Sequence, residues 1–164
     1  MISRTLALAS AIVVTVVLGA CSDSTAPPQL ASEGLSAAAA TRSGTFHVEK
    51  ECSTFTGHAG DICTITSSTL AEIEPGSTIT YASDAVGALL DTDVVLDLPG
   101  PGSNRAYGHC TVDLATIVGG CVFSGGTGKF TWFHASVALS YLGGPAFGGA
   151  NFAWNGTYSF GPRD

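Results

Sequence analysis

Three sets of residues in this chain have types and spacings that could do chemistry. His47, Glu49 and Glu51 alternate, so an extended strand would present all three on one face, with His58 and Asp61 shortly after. Imidazole and carboxylate are ligands for zinc or copper, but a strand supplies only a row of donors. A closed site needs three or four convergent ligands, and His109 or His134 would have to complete it. A solvated polar face explains the row by itself, so no metal is assigned. Asp91, Asp93 and Asp97 are calcium ligands by type, yet Asp93 and Asp97 flank Val95 on an outward strand face. No EF-hand or nonapeptide loop accompanies them. Nucleophilic catalysis has no Gly-x-Ser-x-Gly elbow, and thirteen acidic residues offer many carboxylate pairs without singling one out. No catalytic residue and no cofactor is assigned.

Aromatic residues give the third set. Trp132 lies between Phe130 and His134, and Trp154 and Tyr158 lie in the last apolar stretch. Tyr107, Trp132, His134, Trp154 and Tyr158 are large amphipathic side chains whose polar tips could orient an apolar guest. They form the expected lining of a binding pocket, the alternative being strands packed on both sides.

The elements that must position these groups are short strands. Thr45–Cys52 alternates, with Phe46, Val48 and Lys50 on one side and His47, Glu49 and Glu51 on the other. After a turn at Gly57-His58-Ala59-Gly60 comes Ile62–Ser68, and after Glu74-Pro75-Gly76-Ser77 comes Thr78–Ser83. Asp93–Leu98 is stopped by Pro99-Gly100-Pro101-Gly102, and Asn104–Leu114, Gly120–Ser124, Phe130–Tyr141 and Asn151–Phe160 complete the set. A helical turn at Ala85–Leu90 is compatible with the pattern. About eight regularly spaced strands without an amphipathic helix predict an all-β fold, an antiparallel meander barrel or alternatively a β-sandwich.

Cysteine spacing agrees with hairpins. Cys52 and Cys63 straddle the turn at Gly57-His58, and Cys110 and Cys121 straddle Ala115-Thr116. Residues equidistant from a hairpin turn face each other within disulfide reach. Four cysteines allow three connectivities, and the expected one is Cys52–Cys63 with Cys110–Cys121. A four-thiolate zinc site is the rival, but zinc ribbons use cysteines two to four residues apart, and no such pair is present.

The fifth cysteine ends a different kind of segment. Arg4, an apolar run from Leu6 to Val17 and Leu18-Gly19-Ala20-Cys21 resemble a bacterial lipoprotein signal with its lipobox, a plain secretory signal being the alternative. The resemblance implies cleavage before Cys21, a lipid on its thiol, and a cell-envelope location with the membrane as partner. Ser22 lacks the aspartate that retains such proteins at the inner membrane, which implies the outer membrane in a diderm. The expected organisation is a signal peptide (1–20), a lipidated disordered tether (21–43) rich in Ser, Ala and Pro, and a β-domain (44–164) large enough for a core. The mature chain sets Arg42, Lys50, Arg105, Lys129 and Arg163 against thirteen acidic residues. With a net charge of −7 for the whole chain, it has no basic stripe for nucleic acid.

Phe123-Ser124-Gly125-Gly126-Thr127-Gly128-Lys129-Phe130 resembles the Gly-Gly-Thr-Gly-Lys/Arg-Phe turn of the allene oxide cyclase and dirigent-like β-barrels, with their bacterial secreted relatives. In that group the turn joins two long antiparallel strands, and Gly108–Asp113 and Trp154–Phe160 fit the same meander order over about residues 44–160. Plant members cyclise or orient small hydrophobic molecules inside the barrel, but their catalytic residues have no motif match here. A phosphate loop does not fit, because Lys129 is followed by Phe130 and by no helix. The favoured function is a noncatalytic envelope barrel that binds a small apolar molecule or an envelope protein. The alternative is a cyclase- or isomerase-like enzyme, which an apolar cavity holding a paired acid would favour.

Overall fold

The computed structural model describes residues 41–144 and 149–162; residues 1–40, with the leader, Cys21 and most of the tether, lie outside the described residues. The strands are β1 (Arg42–Cys52), β2 (Ile62–Ser68), β3 (Thr78–Tyr81), β4 (Leu89–Asp97), β5 (Arg105–Asp113), β6 (Val118–Gly126), β7 (Phe133–Gly143) and β8 (Ala150–Phe160). Each pairs antiparallel with the next. β1 also pairs with β8 from Arg42–Phe160 to Cys52–Ala150, which closes the sheet. The fold is an eight-stranded antiparallel meander barrel, and the β1–β8 ladder excludes the sandwich.

Alternation sorts the side chains. Phe46, Val48, Lys50 and Cys52 of β1 point inward, as do Leu90, Thr92, Val94 and Leu96 of β4 and Phe133, Ala135 and Val137 of β7. The outer wall carries His47, Glu49, Glu51, Asp91, Asp93 and His109. Apolar inside and charged outside is the reverse of a barrel that crosses a membrane on its strands.

Several boundaries differ from the sequence reading. β1 begins at Arg42, so Arg42 and Ser43 belong to the barrel, tied to Phe160 and Ser159 of β8. β4 begins at Leu89, and no helical turn forms at Ala85–Leu90. The inward alternation of Leu90 and Thr92 extends the strand pattern, and Leu89–Asp93 pairs with Asp113–His109. The strand expected from Phe130 starts at Phe133. Gly128 has φ +58°, and Gly128–Phe130 forms a 3-10 turn that drops Phe130 into the core. The Asn104 Oδ1 accepts the Lys129 N–H (3.0 Å) and the Thr127 hydroxyl donates to the Ser103 carbonyl (2.6 Å), fixing this turn on the β4–β5 loop.

The two ends of the barrel differ. At the end where β1 begins, Phe130, Phe133 and Phe160 pack ring to ring (5.2 and 5.0 Å), and Leu70 and Ile73 from the β2–β3 loop add to the plug. Gly108 of β5 leaves room for the Phe123 ring, which a side chain there would strike. Phe123 continues the aromatic chain to Trp154 (5.5 Å).

Both disulfides lie at the other end and face inward. Cys110 and Cys121 are direct cross-strand partners in β5 and β6, and Cys52–Cys63 lies one step beyond the Glu51–Thr64 pair of β1 and β2. Their Cα separations are 4.0 and 4.3 Å. The expected connectivity is present.

Candidate functional site

The disulfide end contains a cavity. Its walls are mainly apolar: Phe55 from the β1–β2 loop, Leu90, Val112, Leu139, Phe152, Trp154, Leu114 and Ile117 from the β5–β6 turn, and the four bridged cysteines. The void is about 400 Å³ including its open mouth, and the part a water molecule's centre can occupy is about 30 Å³. Such a space takes one or two waters or a small apolar group, not a large ligand in full.

Two titratable side chains reach it, Lys50 and Tyr81. Lys50 is 3% exposed, although a long amine on a barrel wall would ordinarily extend to water. Its position explains this. The inward alternation of β1 places Lys50 between Val48 and Cys52, and the β1–β2 ladder shifts register at Glu49/Lys50, where Thr66 of β2 is the extra residue. The Lys50 Nζ lies 2.8 Å from the Tyr81 Oη and 4.2 Å from the Trp154 ring centroid. None of the ion pairs among the described residues includes Lys50. An ammonium without a counter-anion in an apolar site is poorly solvated, and burial lowers its pKa to about 7. The face of Trp154 compensates in part through its quadrupole.

Tyr81 is held at the end of β3 by a loop that Asp61 organises. The Asp61 carboxylate accepts the backbone N–H groups of Thr56, Gly57 and His58 (2.6, 2.8 and 3.0 Å), and the Asp61 carbonyl accepts the Tyr81 N–H (3.0 Å). Burial pushes the Asp61 pKa up, but these donors outweigh it and the net shift is downward. The same loop sets Phe55 edge-on to Tyr81 (5.1 Å). Burial, and then the nearby Asp61 charge, raises the Tyr81 pKa well above the ordinary phenol value. The phenol therefore keeps its proton. It can accept from the ammonium of Lys50 and, when Lys50 is neutral, donate to the amine.

Trp154 adds one more polar group. Its indole Nε1 is buried and has no hydrogen-bond partner in the structure. Burying such a donor costs about 1–3 kcal/mol unless something accepts from it. The cavity thus presents an ammonium or amine and a phenol among apolar walls, with the ring face of Trp154 against the amine.

The expected lining is only partly assembled. Trp154 lines the cavity. Tyr107 (43% exposed), Trp132 (50%) and His134 do not, because they face outward or precede β7. Tyr107 is one residue out of phase with inward Ala106, and His134 with inward Phe133 and Ala135. Tyr158 is half-buried at the plugged end, edge-on to Phe46 (5.9 Å) and Phe160 (5.8 Å). Lys50 and Tyr81 were missed. Their signal was a lysine in phase with Phe46 and Val48.

The outward polar row does not form a metal cluster. Among the described residues no group of three or more His, Cys, Asp or Glu is arranged to hold an ion. The His47 Nδ1 meets the Asn155 Oδ1 (2.7 Å), and its Nε2 lies 3.4 Å from Glu49. His109 is bracketed by Asp93 (2.9 Å) and Asp91 (2.6 Å), whose hydrogen bonds raise its pKa, Asp93 contributing most. Compared with known protein families, curated proteins and solved structures, the chain matches none.

Proposed function

We propose that this protein is an exported, lipid-anchored envelope protein whose barrel binds a small apolar molecule carrying one oxygen acceptor. The observation that carries this reading is the apolar cavity lined by Lys50, Tyr81 and Trp154, where the buried amine has a phenol oxygen as partner and no carboxylate. A guest with a carbonyl head would accept from the Lys50 amine while the rest of it lies toward the open mouth, since the enclosed part of the cavity is too small for a whole ligand. The guest would supply a second acceptor to an amine whose one hydrogen-bond partner is a phenol, which favours binding over an empty cavity. The lipobox residues supply the anchor in this reading, and the two disulfides suit an oxidising compartment.

The cavity walls contain no carboxyl group, so the paired acid that would favour a cyclase- or isomerase-like enzyme has no counterpart there.

Intrinsic fluorescence tests the binding. With Trp132→Phe, Trp154 is the sole indole reporter. Benzamide and hexanamide should change its emission saturably, Lys50→Met should weaken benzamide binding about tenfold, and ethylbenzene should bind less tightly than benzamide. No saturable change with either amide would overturn the reading.

A further inference from the structure

We propose that Lys50 captures small apolar aldehydes covalently, as a reversible imine inside the barrel. This rests on the reading that the cavity admits a small carbonyl-bearing guest. The geometry is specific to an amine nucleophile. Lys50 is buried and lines the cavity, it pairs with no carboxylate among the described residues, and its Nζ has a phenol oxygen at 2.8 Å. Lysines serve as carbonyl nucleophiles where an apolar setting keeps part of the population neutral, and burial acts in that direction here.

The steps balance without a redox partner. The nitrogen lone pair forms a C–N bond to the aldehyde carbon, and the C=O π pair moves onto oxygen. That oxygen takes a proton from the Tyr81 hydroxyl, and the phenolate recovers one from the nitrogen, giving a neutral carbinolamine. The Tyr81 hydroxyl then protonates the carbinolamine hydroxyl, which leaves as water as the nitrogen lone pair forms the C=N bond, and the phenolate takes the remaining N–H proton to leave a neutral imine. One amine and one aldehyde become one imine and one water, and Tyr81 ends as it began. Leaving through the mouth, the water enters bulk solvent, and the same path in reverse releases the aldehyde.

The chain has two lysines, which makes the experiment clean. Lys129 is exposed and paired with Glu74 (2.8 Å), so it is the internal reference. The purified protein is incubated with hexanal or benzaldehyde near pH 7.5 and trapped with cyanoborohydride, then mapped by peptide mass spectrometry. Lys50 should carry the alkyl group about tenfold or more faster than Lys129, since at that pH far more of a low-pKa amine is neutral. Tyr81→Phe should slow trapping at Lys50 while both disulfide-linked peptides remain. Labelling of Lys129 at an equal or higher rate, or no label on Lys50, overturns the inference. Saturable benzamide binding without trapping at Lys50 would remove the imine and leave the binding site standing. Absence of both would remove the two together.

Discussion

Lys50 occupies a position where alternation would ordinarily place a valine or leucine, and the fold carries the cost. Its pKa falls from 10.5 to about 7, so between those values the unfolded chain binds a proton that the folded chain does not. The desolvation penalty is therefore complete below about pH 7. It declines as pH rises, because the folded chain gives up the buried charge and releasing that proton to solvent costs less at each higher pH. Lys50→Met should stabilise the protein at pH 6 by roughly 3–5 kcal/mol, as about 1.4 kcal/mol per unit implies, and by visibly less at pH 9. Wild-type stability should rise over the same interval. Urea unfolding of both proteins at the two pH values measures this, and an equal gain at each pH would show that Lys50 titrates normally. The sequence showed Lys50 in phase with Phe46 and Val48, but lysine stems on such faces usually let the amine escape to water. Whether it escapes depends on how Tyr81 and Trp154 close over it, and both come from distant strands. Tyr107 and His134 illustrate the opposite error, since side-chain chemistry suggested a lining role that strand phase did not allow.

At the scale of elements, the two bridges hold the hairpins β1–β2 and β5–β6 closed beside the cavity mouth. This pairing was legible because equal separation about a turn leaves little geometric freedom: hairpin registry and disulfide reach are the same constraint. The strand count was legible for a similar reason, through alternation and Gly/Pro punctuation. Boundaries were less so. Leu89–Thr92 reads as strand only when paired with Cys110–Asp113, and the turn after Gly126 contains a 3-10 segment that seats Phe130. Replacing Cys110 and Cys121 together by alanine should cost roughly 2–3 kcal/mol through a less constrained unfolded chain, with some further loss where four buried sulfurs line the cavity. Urea midpoints would show that loss. The same variant should also weaken benzamide binding, because Leu114 and Ile117 project into the cavity from the turn this bridge closes. Unchanged affinity despite lower stability would show that the turn does not shape the site.

In the proposed reading of the whole molecule, anchoring and binding belong to separate parts of the chain. The barrel's outer wall carries His47, Glu49, Asp91, Asp93 and His109, which favour water, whereas the proposed guest enters an interior isolated from that wall. In that reading, attachment to a membrane is the work of the lipid proposed on Cys21, and nothing in the cavity chemistry requires it. Cys21→Ser should abolish incorporation of labelled palmitate and move the protein from the detergent phase to the aqueous phase. The released protein should still contain Cys52–Cys63 and Cys110–Cys121 peptides, and its benzamide affinity should match the anchored form. Continued palmitate labelling would remove the lipoprotein reading without touching the barrel. Lost affinity in a correctly bridged, soluble variant would instead show that the membrane or lipid contributes to the site, because the interior geometry alone predicts no such dependence.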